Sequence, residues 1–258
     1  MTYELTPEPP RDRRPMLALF VGGLLSGAAI VVLALTLTGV IGPAAAEPSA
    51  DGSLAPAASA ELGGPLVTPP PVASPSAFTP TDLADGYALG REDAPVTVEI
   101  WADYQCPYCA LFSQQVEPQL IAQYVETGQV RLVFRDLAFL GDESRWAAVA
   151  ARLAAEQDAF WPYHDYLFAN QLGENVGSFS VERLQQIATM VGLDRSAFDA
   201  GLQLDAAREA FADIRADFEA DAARLGIRST PTVVVDGTRL EANDLATIRA
   251  AIDAALAD

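Results

Sequence analysis

Cys106 and Cys109 are the only cysteines in the 258-residue chain, and two residues separate them. Neighbours this close form a disulfide with each other, and a bond that opens and closes at such a pair is thiol–disulfide exchange. Pro107 is the residue type favoured at the first position of a helix, which puts Cys106 at the N-cap. Unpaired backbone N–H groups and the positive end of the helix dipole stabilise a thiolate there, so the pKa of Cys106 is expected to fall. Cys109 lies one turn further in, as the less exposed, resolving sulfur. Other uses of the pair fit less well. A structural zinc site needs about four ligands, whereas this chain offers two Cys and one His. A purely structural disulfide would close a loop too short to remove much chain entropy.

The flanking sequence supplies the elements that position the pair. Val96-Thr97-Val98-Glu99-Ile100-Trp101 is β-branched and aromatic, a strand leading to the motif. It is apolar on both faces, so helices are expected above and below it, as in a covered α/β sheet. Far down the chain, Thr230-Pro231 directly precedes the strand-like Thr232 to Val235, and Asp236-Gly237 marks a two-residue hairpin turn.

The run Asp103-Tyr104-Gln105-Cys106-Pro107-Tyr108-Cys109, together with the distal Thr230-Pro231, resembles the thioredoxin superfamily. The order of strand, Cys-x-x-Cys helix, helical stretch, Thr-Pro, hairpin and final helix is most similar to the DsbA-like thiol–disulfide oxidoreductases, particularly their membrane-tethered bacterial members. The resemblance covers residues 81–258. It implies an α/β, thioredoxin-like fold with a helical subdomain inserted at about 143–225. It also implies that Cys106 and Cys109 are catalytic, that Pro107 and Tyr108 complete the active-site motif, and that Tyr108 tunes the redox potential. Pro231 would be a cis proline beside Cys106, and Thr230 would offer backbone groups to a substrate strand. The implied activity is donation of disulfides to extracytoplasmic proteins, with a membrane redox partner reoxidising the pair and neither an organic cofactor nor a metal required. Two alternatives stay open: a reductase or isomerase of the same fold, and a membrane-tethered chaperone-like or scaffold protein whose cysteines are incidental.

One position departs from the family pattern. Many relatives carry a buried acid six residues before the first cysteine, where it takes the proton of the second thiol, and that position here is Ile100. Glu99 is one residue off, and strand alternation sends it to the opposite face, so it is not expected to substitute.

The remainder bounds the setting. Net charge is −19, with 16 cationic residues, all arginine, against 35 acidic ones. Phosphate binding needs a basic patch, so nucleic acid is excluded as a partner. Residues 1–15 form a short polar tail ending in Arg11, Arg13 and Arg14, followed by an uncharged apolar run from Met16 to Ile41. That run is long enough to cross a bilayer, and the preceding arginines put the tail in the cytoplasm and the rest outside. Ala44-Ala45-Ala46 has the character of a signal-peptide cleavage site, but the apolar run far exceeds a signal core of about 7–15 residues, which favours an uncleaved anchor. Residues 43–80 are rich in Ala, Pro and Ser and read as a disordered, semi-extended tether of about 35 Å as a flexible coil.

Within the exported domain, a first short strand is expected in Asp82 to Leu89. A helix from Pro107 should carry Phe112, Val116, Leu120 and Tyr124 as an apolar stripe, with a kink at Pro118. A strand from Val130 to Arg135 follows, then helices from Glu143 to Leu225 with breaks near Gly173 and Gly192. Asn243 or Asp244 caps a last helix with Leu245, Ile248, Ile252 and Leu256 on one face. His164, the only histidine, sits in the aromatic run 160–166 and reads as a core residue rather than a catalytic one.

Overall fold

The structure, a computed structural model, describes residues 54, 65–68, 87–241 and 243–257. The polar tail at 1–15, the apolar run at 16–41 and most of the 43–80 stretch lie outside the described residues. Among the described residues no helix is long and apolar enough to cross a membrane.

Five strands form one mixed sheet: β1 (Ala88–Leu89), β2 (Val96–Ala102), β3 (Val130–Asp136), β4 (Thr232–Val235) and β5 (Thr238–Arg239). Their spatial order is β1-β3-β2-β4-β5, which makes the strand leading to the cysteines the central one. β2 and β3 run parallel, with Ile100 opposite Phe134 and Ala102 opposite Asp136. A parallel pair needs a crossover, and α1 (Pro107–Gln115) and α2 (Glu117–Leu120) provide it. The expected first strand is seen at Ala88–Leu89; 81–86 lie outside the described residues.

The two faces of β2 are covered differently. Trp101 packs edge-on against Phe218, and the Arg135 guanidinium lies over the same ring. Phe134, on the face it shares with Ile100, meets Tyr104, Phe160, His164 and Phe168. Helices between β3 and β4 provide both covers: α3 (Asp142–Ala155), α4 (Phe160–Ala169), α5 (Val181–Val191), α6 (Arg195–Gly201) and α7 (Leu204–Leu225). Gly192 and Gly226 cap α5 and α7 in the left-handed conformation that glycine adopts at little cost.

Pro118 does more than kink its helix. The continuous helix expected through Tyr124 is interrupted at Val116, resumes as α2 and widens into a π-helical turn over Ile121–Val125. Proline has no N–H to donate, and its ring crowds the carbonyl four residues back. Gln119 donates its side-chain amide to the Gln115 carbonyl at 2.7 Å, satisfying a backbone acceptor left by the break. Leu120 and Tyr124 are still buried, while Val116 is only partly so.

The hairpin turns at Asp236 and Gly237, with φ of 44° and 76°, the paired positive values of a tight two-residue turn. The Asp244 carboxylate accepts the Thr247 N–H and caps α8 (Leu245–Ala255), which packs Ile248 and Ile252 into the core. Within the stretch read as a tether, Leu54 is buried and its carbonyl accepts from the Arg208 guanidinium. The Val67 N–H and C=O both pair with the Asn170 side chain, at 2.6 and 2.8 Å. At these positions the chain lies against the helical insertion, because an apolar side chain and a matched amide hold it there.

Candidate active site

Cys106 is the N-cap residue of α1, and Pro107 occupies the first turn. Its backbone is extended, with φ −71° and ψ 118°, and its carbonyl accepts the N–H groups of Cys109 and Ala110. β2 ends at Ala102, so the intervening Asp103-Tyr104-Gln105 turns the chain from the sheet edge into the helix. Both cysteines are free thiols, with 6% of Cys106 and 2% of Cys109 exposed.

The two sulfurs differ in acidity for physical reasons. A hydrogen bond from the Cys109 thiol holds Cys106 down at about 6, against the opposing effect of burial, and Thr230 and the N–H groups of Cys109 and Tyr108 act in the same direction. Burial pushes the Cys109 thiol far up, and the neighbouring Cys106 adds to the shift. At neutral pH the reduced pair therefore carries one negative charge, on Cys106.

The Thr230–Pro231 bond is cis. The Thr230 carbonyl oxygen stands 3.4 Å from the Cys106 sulfur, which donates to it as a thiol. Asn243 supports the loop by donating its amide to the Pro231 carbonyl. Between this loop and α1 runs an open groove of about 410 Å³, lined by Tyr108, Leu111, Phe112, Thr230 and Pro231 among others. Tyr108 and Leu111 are 70% and 50% exposed, so the groove presents an apolar wall beside a reactive sulfur and an open backbone segment.

The family model described as thioredoxin matches residues 82–254. This chain belongs to the thioredoxin family. The probable disulfide bond formation protein D of Bacillus anthracis is 30% identical over 170 residues, 64% of this chain and 76% of that protein. The crystal structure of oxidised BdbD from Bacillus subtilis superposes with a TM-score of 0.62 at 26% identity, covering 69% of this chain and 96% of that one. The α-DsbA1 structure of Wolbachia pipientis shares the fold, with a TM-score of 0.57 at 22% identity over 66% of this chain and 90% of that one. Within the thioredoxin family the chain is a DsbA-like protein thiol–disulfide oxidoreductase.

In this thioredoxin-family site, Asp103 braces the turn that leads into Cys106. Its fully buried carboxylate accepts the Gln105 N–H at 2.8 Å, the Ser144 hydroxyl at 2.6 Å, and the Phe139 and Leu140 N–H groups at 2.9 and 3.0 Å. Burial raises its pKa, and these four hydrogen bonds resist the rise. Asp103 thereby fixes the turn into Cys106 against the loop after β3. An aspartate bonding the N–H two residues on is a turn signal legible in sequence; its three long-range partners are not.

The acid expected to be missing from β2 is missing: Ile100 is 1% exposed and apolar. Glu99 lies on the other face, where it pairs with Arg135 at 2.9 Å and accepts the Trp101 indole N–H at 3.2 Å. On the Ile100 side, Asp136 at the end of β3 is buried with neither carboxyl oxygen hydrogen-bonded. Burial raises its pKa far above the usual carboxylate range, and Asp103 adds to the shift. His164 is fully buried among the rings of Phe134, Phe160, Trp161 and Phe168.

Proposed function

We propose that this oxidoreductase donates disulfides to extracytoplasmic substrate proteins, with Cys106 as the attacked sulfur and Cys109 as the resolving one. A substrate thiolate attacks the Cys106 sulfur of the oxidised pair; the Cys106–Cys109 bond breaks and Cys109 leaves, taking up a proton. A second substrate thiolate then attacks the substrate sulfur of the mixed disulfide, and Cys106 departs as a thiolate. The substrate loses two electrons and gains a disulfide, while the enzyme pair gains the two electrons. A membrane redox partner accepts them and restores the bond.

The observation that carries the direction is the acidity of Cys106, held at about 6. A stabilised thiolate favours the reduced enzyme, and a pair whose reduced form is favoured gives its disulfide away. The groove beside Thr230 and Pro231 serves as the substrate-binding surface, and Tyr108, exposed between the cysteines, meets the incoming chain. The apolar run 16–41 anchors the protein as a single span with 1–15 in the cytoplasm, and 43–80 joins it to the catalytic domain at 81–258.

Equilibrating the detergent-solubilised full chain in glutathione buffers of graded potential tests this reading. A midpoint near about −120 mV is expected of a donor; a midpoint near about −270 mV would mark a reductase instead.

A further inference from the structure

A second polar cluster lies on the inner side of the active-site helix, apart from the thiol chemistry. Ser113 on α1 and Glu117 on α2 converge on His164 of α4, and Asp165 follows His164. His164 is 0% exposed, Glu117 2% and Ser113 8%. The Ser113 hydroxyl oxygen stands 3.3 Å and the Glu117 Oε1 3.4 Å from the imidazole Nε2. One ligand-type atom from each of Glu117, His164 and Asp165 lies within 4.8 Å of the other two. The remaining ring nitrogen, Nδ1, is 3.5 Å from the Tyr104 hydroxyl.

These spacings match those between ligands of one metal ion. A charge-assisted N–H···O bond closes to about 2.7–2.9 Å, so an imidazole–carboxylate contact of 3.4 Å is loose for two buried partners. Nitrogen and oxygen ligands about 2.0–2.2 Å from a tetrahedral zinc ion stand roughly 3.3–3.5 Å from each other. The two contacts to Nε2, 3.3 and 3.4 Å, have that length. Charge points the same way. Glu117 and Asp165 set two carboxyl groups beside one imidazole.

We propose that Glu117, His164, Asp165 and Ser113 bind a divalent first-row metal ion, with Zn²⁺ as the ion their nitrogen and oxygen donors suit. Nε2 is the metal-binding nitrogen, and Nδ1 faces the Tyr104 hydroxyl at 3.5 Å as its outer-shell partner. Asp165 is only partly buried and marks the side from which the ion enters. Ser113 and Glu117 lie four and eight residues beyond Cys109, while His164 and Asp165 belong to the insertion, so the ion ties the active-site helix to the helical subdomain.

The test uses the full chain with its disulfide closed, so that the thiols do not compete, after removal of metal by a chelator. Titration with Co²⁺ is expected to saturate at one ion per chain, with the visible bands of a tetrahedral nitrogen–oxygen site and no thiolate charge-transfer band. Zn²⁺ should displace the cobalt and raise Tm, since an ion bound only by the folded state stabilises it. Glu117→Gln and Asp165→Asn should each weaken binding by more than ~10-fold, and Tyr104→Phe, acting through the imidazole, by ~10-fold. Asp165→Asn changes a partly exposed position and decides the matter if Glu117→Gln fails to fold. Absence of saturable uptake at micromolar Co²⁺ or Zn²⁺, or uptake undiminished in Asp165→Asn, would overturn the proposal.

Discussion

The first turn of α1 and the interior directly behind it treat charge in opposite ways. At Cys106, N–H groups, a thiol donor and an open groove favour a negative sulfur, held at about 6. One turn deeper, burial keeps Cys109 a neutral thiol and raises the buried Asp136 well above the usual carboxylate range. The gradient separates the roles of two chemically identical residues. Spacing alone makes either cysteine a candidate nucleophile; the helix start and the depth of burial decide between them.

The largest test of that asymmetry removes one sulfur at a time. Cys106→Ser should abolish exchange with glutathione, because Cys109 alone stays protonated at neutral pH and is a poor nucleophile. Cys109→Ser should keep a reactive Cys106 and accumulate a stable mixed disulfide, which mass spectrometry of the intact protein would detect. Equal loss in both variants without any trapped adduct would refute the division of labour. The alkylation rate of the reduced wild type should follow a single ionisation with a midpoint at about 6. The Cys106 pKa is lower folded than unfolded, so its contribution to the stability of the reduced form is complete above the free-thiol pKa of about 8.5 and disappears as pH falls through 6.

Asp103 comes next, because four donors depend on it. Asp103→Ala leaves buried N–H groups unmatched and should lower unfolding stability by about 3 kcal/mol, measured by urea denaturation. Exchange should slow as well, since the turn that sets Cys106 at the helix start loses its brace. A variant of wild-type stability would show that Ser144 and nearby water take over.

The residues differ in how far sequence exposes them. Cys106, Pro107 and the Asp236-Gly237 turn act through neighbours one to four positions away, so spacing reveals their geometry. β2 was legible end to end because its run is mostly β-branched and aromatic. Helix α1 was legible at its start and not at its end: proline signals a defect, but whether the chain kinks, breaks or widens into a π-helical turn depends on what the following residues pack against. Asp103, Asp136 and the Ser113, Glu117 and His164 cluster owe their environments to elements far along the chain, 36 to 60 positions away for the long-range hydrogen bonds of Asp103 and His164, and no local pattern carries that. The docking of Leu54 and Val67 was hidden for the same reason, since a stretch rich in Ala, Pro and Ser shows no periodicity even where two of its residues find partners.

Asp136 and Glu99 sharpen the comparison on a smaller scale. The folded pKa of Asp136 is raised, so the folded chain retains a proton that the unfolded chain has lost above about pH 4. Its presence should therefore cost stability as pH rises from there. Asp136→Leu should remove that slope and add about 1–2 kcal/mol at pH 8, because two unmatched acceptors leave the core. A wild-type stability that is flat over pH 4–8 would contradict the burial argument.

Glu99 tests the opposite face of the same strand and should give the smallest effect. Its carboxylate is partly exposed and paired with Arg135 beside Phe218, across the sheet from Ile100. Glu99→Gln weakens that pair and should cost about 1 kcal/mol or less. Exchange rates should be unchanged from pH 5 to 9, since a group on this face has no path through the sheet to the Cys109 thiol. If the variant instead slowed the release of Cys109 with a shifted pH profile, Glu99 would be acting as the proton acceptor, and the alternation of β2 would not separate the two faces as its register indicates. An unchanged profile together with the small loss of stability would assign Glu99 to packing and leave the proton of Cys109 to a group on the Ile100 side.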